Sequence, residues 1–125
     1  MTGKTKKIYI VGIGASAGGL EAISLLVSNL RVDLPCTYVV LQHISPDYRS
    51  MMAEILGRET QLKVKELKDG DIPDQGTIFV VPAKSNALIQ EGKFHLIDTS
   101  PEIVPKPSIN QFLISLAAEE GEAAI

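Results

Sequence analysis

The run Lys7-Ile8-Tyr9-Ile10-Val11-Gly12 is apolar on both faces when laid out with the two-residue period of a strand. Such a strand has no side to offer to water, so it belongs inside a sheet covered on both faces, the usual situation of parallel sheets in α/β proteins. Thr37-Tyr38-Val39-Val40-Leu41 repeats the pattern and runs into Gln42-His43. Between the two runs, Leu20, Ile23, Val27 and Leu30 recur at helical spacing, with Glu21 placed where the helix dipole favours an anion. A helix over about residues 18–30 follows, ended by Leu34-Pro35. The whole is a strand, helix, strand unit of the kind that is almost always right-handed and parallel.

The rest of the chain extends this plan. Ser45-Pro46 offers an N-cap followed by proline at the first helical position, ahead of a helix near residues 48–58. Strands are expected near 62–67 and 77–81. Residues 87–90 and 94–98 flank Glu91-Gly92-Lys93 and read as a hairpin, which would make the sheet mixed. Residues 99–107, with three prolines, form an extended loop. Ser108-Ile109-Asn110-Gln111 is a capping box opening a helix that buries Phe112, Leu113 and Leu116. After Gly121 the apolar residues begin a further strand. The expected fold class is α/β, a doubly wound, mainly parallel sheet with helices on both faces. Residues 1–125 form a single domain, C-terminally truncated and so lacking its last strands and helices.

Composition narrows the partners. Twelve basic against fifteen acidic side chains give a net charge of −3, and no stretch gathers Lys or Arg into a stripe for a nucleic-acid backbone. No apolar run approaches the roughly 20 residues of a membrane span, and no apolar segment of a signal peptide follows the charged start. A cytoplasmic protein is expected, without nucleic acid and without direct membrane insertion. The single cysteine, Cys36, cannot form an internal disulfide, and two histidines make no zinc cluster. Neither metal nor cofactor is expected.

The glycine-rich stretch Gly12-Ile13-Gly14-Ala15-Ser16-Ala17-Gly18-Gly19 admits two readings. A dinucleotide loop needs the spacing G-x-G-x-x-G and an acid at the end of the second strand for the ribose. Position 17 is alanine, and the second strand ends in Gln42-His43. The other reading is a G-x-S-x-G turn, Gly14 to Gly18, lifting Ser16 to the carboxyl edge of the sheet above a helix N-terminus whose amides can hold an oxyanion. His43, at the carboxyl end of the neighbouring strand, lies on the same edge and can take the serine proton. This pairing favours acyl hydrolysis, with a glycine-loop nucleotide-binding domain as the alternative.

Gly12-Ile13-Gly14-Ala15-Ser16-Ala17-Gly18-Gly19-Leu20-Glu21-Ala22, Gln42-His43-Ile44-Ser45-Pro46 and Pro105-Lys106-Pro107-Ser108-Ile109-Asn110 together closely resemble the protein-glutamate methylesterase domain of bacterial chemotaxis, the CheB family. The resemblance implies a doubly wound sheet and a Ser-His-Asp triad. Its substrates would be glutamate methyl esters, and in many members certain glutamines, on methyl-accepting chemoreceptors. The nucleophile carries over to Ser16 and the base to His43. The family's triad aspartate belongs to a later motif, and no aspartate here matches it. An N-terminal receiver domain that regulates many members by phosphorylation has no counterpart ahead of the first strand. The arrangement is similar to fusions in which a methyltransferase domain follows the methylesterase.

Blander readings stand beside these. Ser16 by itself is a small polar residue in a turn, and His43 by itself a hydrogen-bonded strand end. His95 alternates with Phe94 and Leu96 as an exposed strand position without a role. Met51 and Met52 fall at core spacing near the proposed site, and Asp69, Asp71 and Asp74 make a solvated turn rather than a calcium loop. Residues 1–125 alone are expected to be nearly inactive for want of the aspartate, to self-associate through uncovered apolar surface, or to serve as a non-catalytic partner-binding fragment.

Overall fold

The computed structural model describes residues 7–42, 52–82, 85–97 and 109–125. Strand β1 (Tyr9–Ala15) is followed by a 3-10 turn (Ala17–Gly19), helix α1 (Leu20–Ser28), strand β2 (Cys36–Gln42), helix α2 (Met52–Glu59), and strands β3 (Lys63–Glu66) and β4 (Thr77–Val80). β5 (Asn86–Gln90), β6 (Lys93–Ile97), helix α3 (Ile109–Glu120) and a second 3-10 turn (Gly121–Ala123) complete the order. β1 to β4 form one sheet in the order β1-β2-β4-β3, and each of its pairings is parallel. β1 runs beside β2 in unbroken register from Tyr9↔Cys36 to Ala15↔Gln42.

The two faces of the sheet divide the core between them, as alternation along a strand requires. Tyr38 and Val40 of β2, with Ile78 and Val80 of β4, meet Ile23 and Val27 of α1 and Met52 and Leu56 of α2. Val39 and Leu41, with Phe79 and Val81, meet Phe112 and Leu116 of α3 and Ala87, Ile89 and Phe94 of the hairpin. β2 is buried from Thr37 through Gln42. The Thr37 hydroxyl is satisfied inside the sheet, Oγ1 donating to the Thr77 carbonyl at 2.9 Å. Burial also pushes the Tyr38 phenol above its ordinary value, with Cys36 adding to the effect. Helices on both faces of a parallel sheet are the expected doubly wound arrangement, and among the described residues no helix is long and apolar enough to cross a membrane. Met52 takes its place in the core.

One expectation is corrected. The hairpin does not join the main sheet: β5 and β6 pair only with each other as a two-stranded antiparallel sheet. Strand periodicity specifies a strand but not its neighbour, and here polar groups claim the hairpin's edges first. On the β5 side the Ile89 amide donates to Ser115 Oγ at 3.1 Å and the Glu91 amide to Glu119 Oε1 at 2.7 Å, both acceptors on α3. On the β6 side the Leu96 amide donates to Asp69 Oδ1 at 3.0 Å, and the Phe94 amide to the Asp71 carbonyl at 2.7 Å. Phe94 then points inward, its ring 5.2 Å from Phe79 and 6.4 Å from Phe112 between centroids. The turn aspartates are therefore structural. Asp69 also lies 3.6 Å from His95 Nδ1, and Asp71 holds Lys65 at 3.3 Å and caps the Lys68 amide at 2.9 Å.

Beyond Gly121, where a further strand is expected, the 3-10 turn is followed by an isolated bridge to β1. Ala124 bridges Ile10 in parallel, the Ile125 amide donates to the Ile10 carbonyl at 2.9 Å, and the Gly12 amide donates to the Ile125 carbonyl at 2.8 Å.

Candidate active site

β1 delivers Ser16 to the carboxyl edge of the sheet. Ala15 is still in register with Gln42; Ser16 is extended at φ −78° and ψ 175°; then the chain winds into the 3-10 turn, closed by the Gly19 amide donating to the Ser16 carbonyl at 2.9 Å. Serine at such a position commonly caps the turn with its hydroxyl. Here the side chain makes no cap hydrogen bond and the residue is exposed, so the hydroxyl is not spent on capping the turn. The amides of Ala17 and Gly18 precede the first bond of the turn, and by helix geometry lack intrahelical acceptors.

The backbone at Ser16 departs from the strained elbow that the G-x-S-x-G pattern suggests. Its φ is ordinary, and Glu91, at φ 53°, is the one non-glycine with positive φ among the described residues. The loop glycines are likewise not there for left-handed backbone. They are there for close approach. A Cβ on Gly14 would sit 2.5 Å from Ile109 Cγ2, one on Gly12 2.8 Å from Leu113 Cδ2, and one on Gly19 2.7 Å from Ala15 Cβ. A Cβ on Gly18 would meet nothing within 4 Å. Side chains of α3 thus lie against Gly12 and Gly14, at the places where a pyrophosphate would have to approach the backbone in the dinucleotide reading.

Gln42 is the residue that sequence reasoning passed over. It is 5% exposed, and its Nε2 donates to the Ser16 carbonyl at 3.1 Å. The sequence carried its identity but not the strand register that places it beside Ser16. His43, the proposed base, lies outside the described residues, as do Met51 and Ser108.

The described aspartates lie away from Ser16. Asp33 and Asp74 precede β2 and β4 and so sit at the amino edge, where Asp74 accepts from Thr77 Oγ1 at 3.1 Å. Asp33 there holds Arg31 through two bonds, at 3.0 and 2.6 Å. That hydrogen bond lowers the Asp33 carboxyl and raises the Arg31 guanidinium from their ordinary values. Asp69 and Asp71 follow β3, which β2 and β4 separate from β1 by about 14 Å at roughly 4.8 Å per strand. A polar cavity of about 650 Å³, lined by Asn29, Arg31, Asp33, Arg58 and Gln61 among others, also opens at the amino edge, away from Ser16. Among the described residues, no group of three or more His, Cys, Asp and Glu side chains is placed to hold a metal ion.

Known proteins resemble this chain in both sequence and fold. The family model of the CheB methylesterase matches residues 11–125. A protein-glutamate methylesterase/protein-glutamine glutaminase of Methanosarcina mazei is 29% identical over 98% of this chain and 35% of its own length. One of Treponema denticola is 33% identical over 90% of this chain and 31% of its own length. The crystal structure of the Thermotoga maritima CheB methylesterase catalytic domain superposes with a TM-score of 0.82 at 27% identity, covering 95% of this chain and 65% of that one. The chain therefore spans about a third of the length of the curated relatives it matches. With its parallel sheet, its glycine-lined β1 and a family match along almost its whole length, the chain belongs to the CheB methylesterase family.

Proposed function

We propose that Ser16 is the nucleophile and His43 the general base of a protein-glutamate methylesterase, acting on methylated chemoreceptors in the cytoplasm. Ser16 Oγ attacks the ester carbonyl carbon while His43 takes its proton. The oxyanion forms beside the Ala17 and Gly18 amides, where fixed donors act more strongly than water. Collapse of the tetrahedral intermediate expels methanol, which receives the proton from His43. Water, deprotonated by His43, then cleaves the glutamyl-serine ester and returns free glutamate and Ser16. The glutaminase named in the relatives is the same acyl transfer with ammonia as the leaving group.

The observation that carries this reading is the uncapped hydroxyl of Ser16, an exposed residue at the start of a turn on the carboxyl edge. Methanol release from methylated receptor tests it in the full chain. Ser16→Ala should lower turnover by about 10⁶, with His43→Ala nearly as damaging because the two act as one unit. Turnover in Ser16→Ala near that of the wild type would remove the assignment. Asp33, Asp69, Asp71 and Asp74 lie away from Ser16, and the family resemblance implies a triad acid in a later motif of the full-length protein. Residues 1–125 alone should then turn over about 10⁴ more slowly than the full chain, the cost of an unfixed histidine tautomer.

A further inference from the structure

We infer that Gln42 is a positioning residue for the reaction, holding Ser16 by its carbonyl rather than touching substrate; the inference rests on Ser16 being the nucleophile. The β1/β2 ladder ends at Ala15↔Gln42. One residue further, β1 has turned toward its 3-10 turn, and the Ser16 carbonyl has left the ladder. The Gln42 side chain follows it there. A carbonyl only accepts, so the amide nitrogen of Gln42 must face it, and it does so at 3.1 Å.

The Ser16 carbonyl accepts a second bond from the Gly19 amide at 2.9 Å. The same oxygen is therefore tied to its own turn and to the neighbouring strand, which fixes the Ser16 peptide in two directions. A buried amide side chain needs partners, and at 5% exposure Gln42 cannot exchange this bond for water without loss. The functional consequence comes from the covalent chain. Gln42 immediately precedes His43, the proposed base. One side-chain hydrogen bond thus ties the backbone that carries the nucleophile to the strand that leads into the base. To the β1/β2 ladder, which ends one residue earlier at Ala15↔Gln42, this bond adds a direct link between the Ser16 backbone and the residue before the proposed base. Misplacing a catalytic group by about 1 Å can cost 10²-fold in rate.

The test uses the full chain with methylated receptor as substrate. Gln42→Met keeps the size and removes the donor; kcat should fall about 10²-fold while KM stays within about twofold, since bound substrate is not the partner lost. Gln42→Glu replaces the donor by a carboxylate facing a carbonyl and should fall further. Thermal midpoints measured alongside separate positioning from general destabilisation. A folded Gln42→Met with kcat within twofold of wild type overturns the inference, as does a rise in KM with kcat unchanged. Should Gln42→Met not fold, Gln42→Glu decides, because it keeps the shape of the side chain and loses the amide donor, and wild-type kcat in it overturns the inference equally. Ser16→Ala run in parallel keeps the two questions apart: activity surviving there defeats the nucleophile assignment, whatever Gln42 does.

Discussion

Toward α1 and α2, strand β1 presents Val11, Ile13 and Ala15; toward α3 it presents Ile10 and then only the hydrogens of Gly12 and Gly14. The first face is made of side chains meeting side chains. On the second, the side chains of α3 lie directly against backbone, with Ile109 and Leu113 filling the places two β-carbons would take. The two faces should therefore fail in opposite ways. Where side chains interlock, removing atoms is what hurts; where a helix rests on glycine, adding them is.

The largest effect is expected on the interlocked face. Leu56, fully buried on α2, should cost about 3 kcal/mol as Leu56→Ala, the transfer of its lost atoms plus the cavity left behind. Urea unfolding measures it; a loss below about 1 kcal/mol would mean that this face collapses around a gap and is not interlocked.

On the glycine face, Gly14→Ala should cost about 1–2 kcal/mol, because the methyl group meets the stiff, β-branched Ile109 at its Cγ2. Combining it with Ile109→Ala should recover part of that loss, giving a coupling of at least about 0.5 kcal/mol in a double-mutant cycle. Strict additivity would show that α3 does not sit against Gly14. Gly12→Ala should be milder, since its one close contact, at 2.8 Å, is with the mobile end of Leu113, while Leu116 and Phe112 lie at 3.4 and 3.5 Å. The smallest effect belongs to Gly18→Ala, which enters open space at ordinary φ and should change stability by no more than about 0.5 kcal/mol. A large loss there would mean that the turn at Ser16 is packed more tightly than its surface shows.

Much of this architecture was legible because buried strands and amphipathic helices leave different periods in a sequence. β1, α1 and β2 were found from Ile8 to Val11, from Leu20 to Leu30 and from Thr37 to Leu41, whereas of the strand expected after Gly121 only an isolated bridge at Ala124 forms among the described residues. The placement of the hairpin was not legible, since it depends on Ser115, Glu119, Asp69 and Asp71 reaching its edges from segments distant in sequence. The glycines were visible as a motif, but nothing in the motif distinguishes a glycine that admits a ligand from one that admits a helix. At the site, Ser16 was picked out by its small neighbours. Gln42 was not, because a side-chain bond across two strands exists only once their register is known.

The pairing of Ala124 and Ile125 with β1 bears on the order in which the molecule can be made. Ile10 of β1 leaves the ribosome well over a hundred residues ahead of Ala124 and Ile125, which pair along its outer side. At about 5–20 residues per second, that side of β1 waits roughly ten seconds for its partner during translation. Contacts between segments so far apart in sequence also close slowly, because the loop entropy is lost before the pairing repays it. The strand that leads into the Ser16 turn is thus completed late, and its open edge during that interval is where a chaperone or a neighbouring nascent chain would find it.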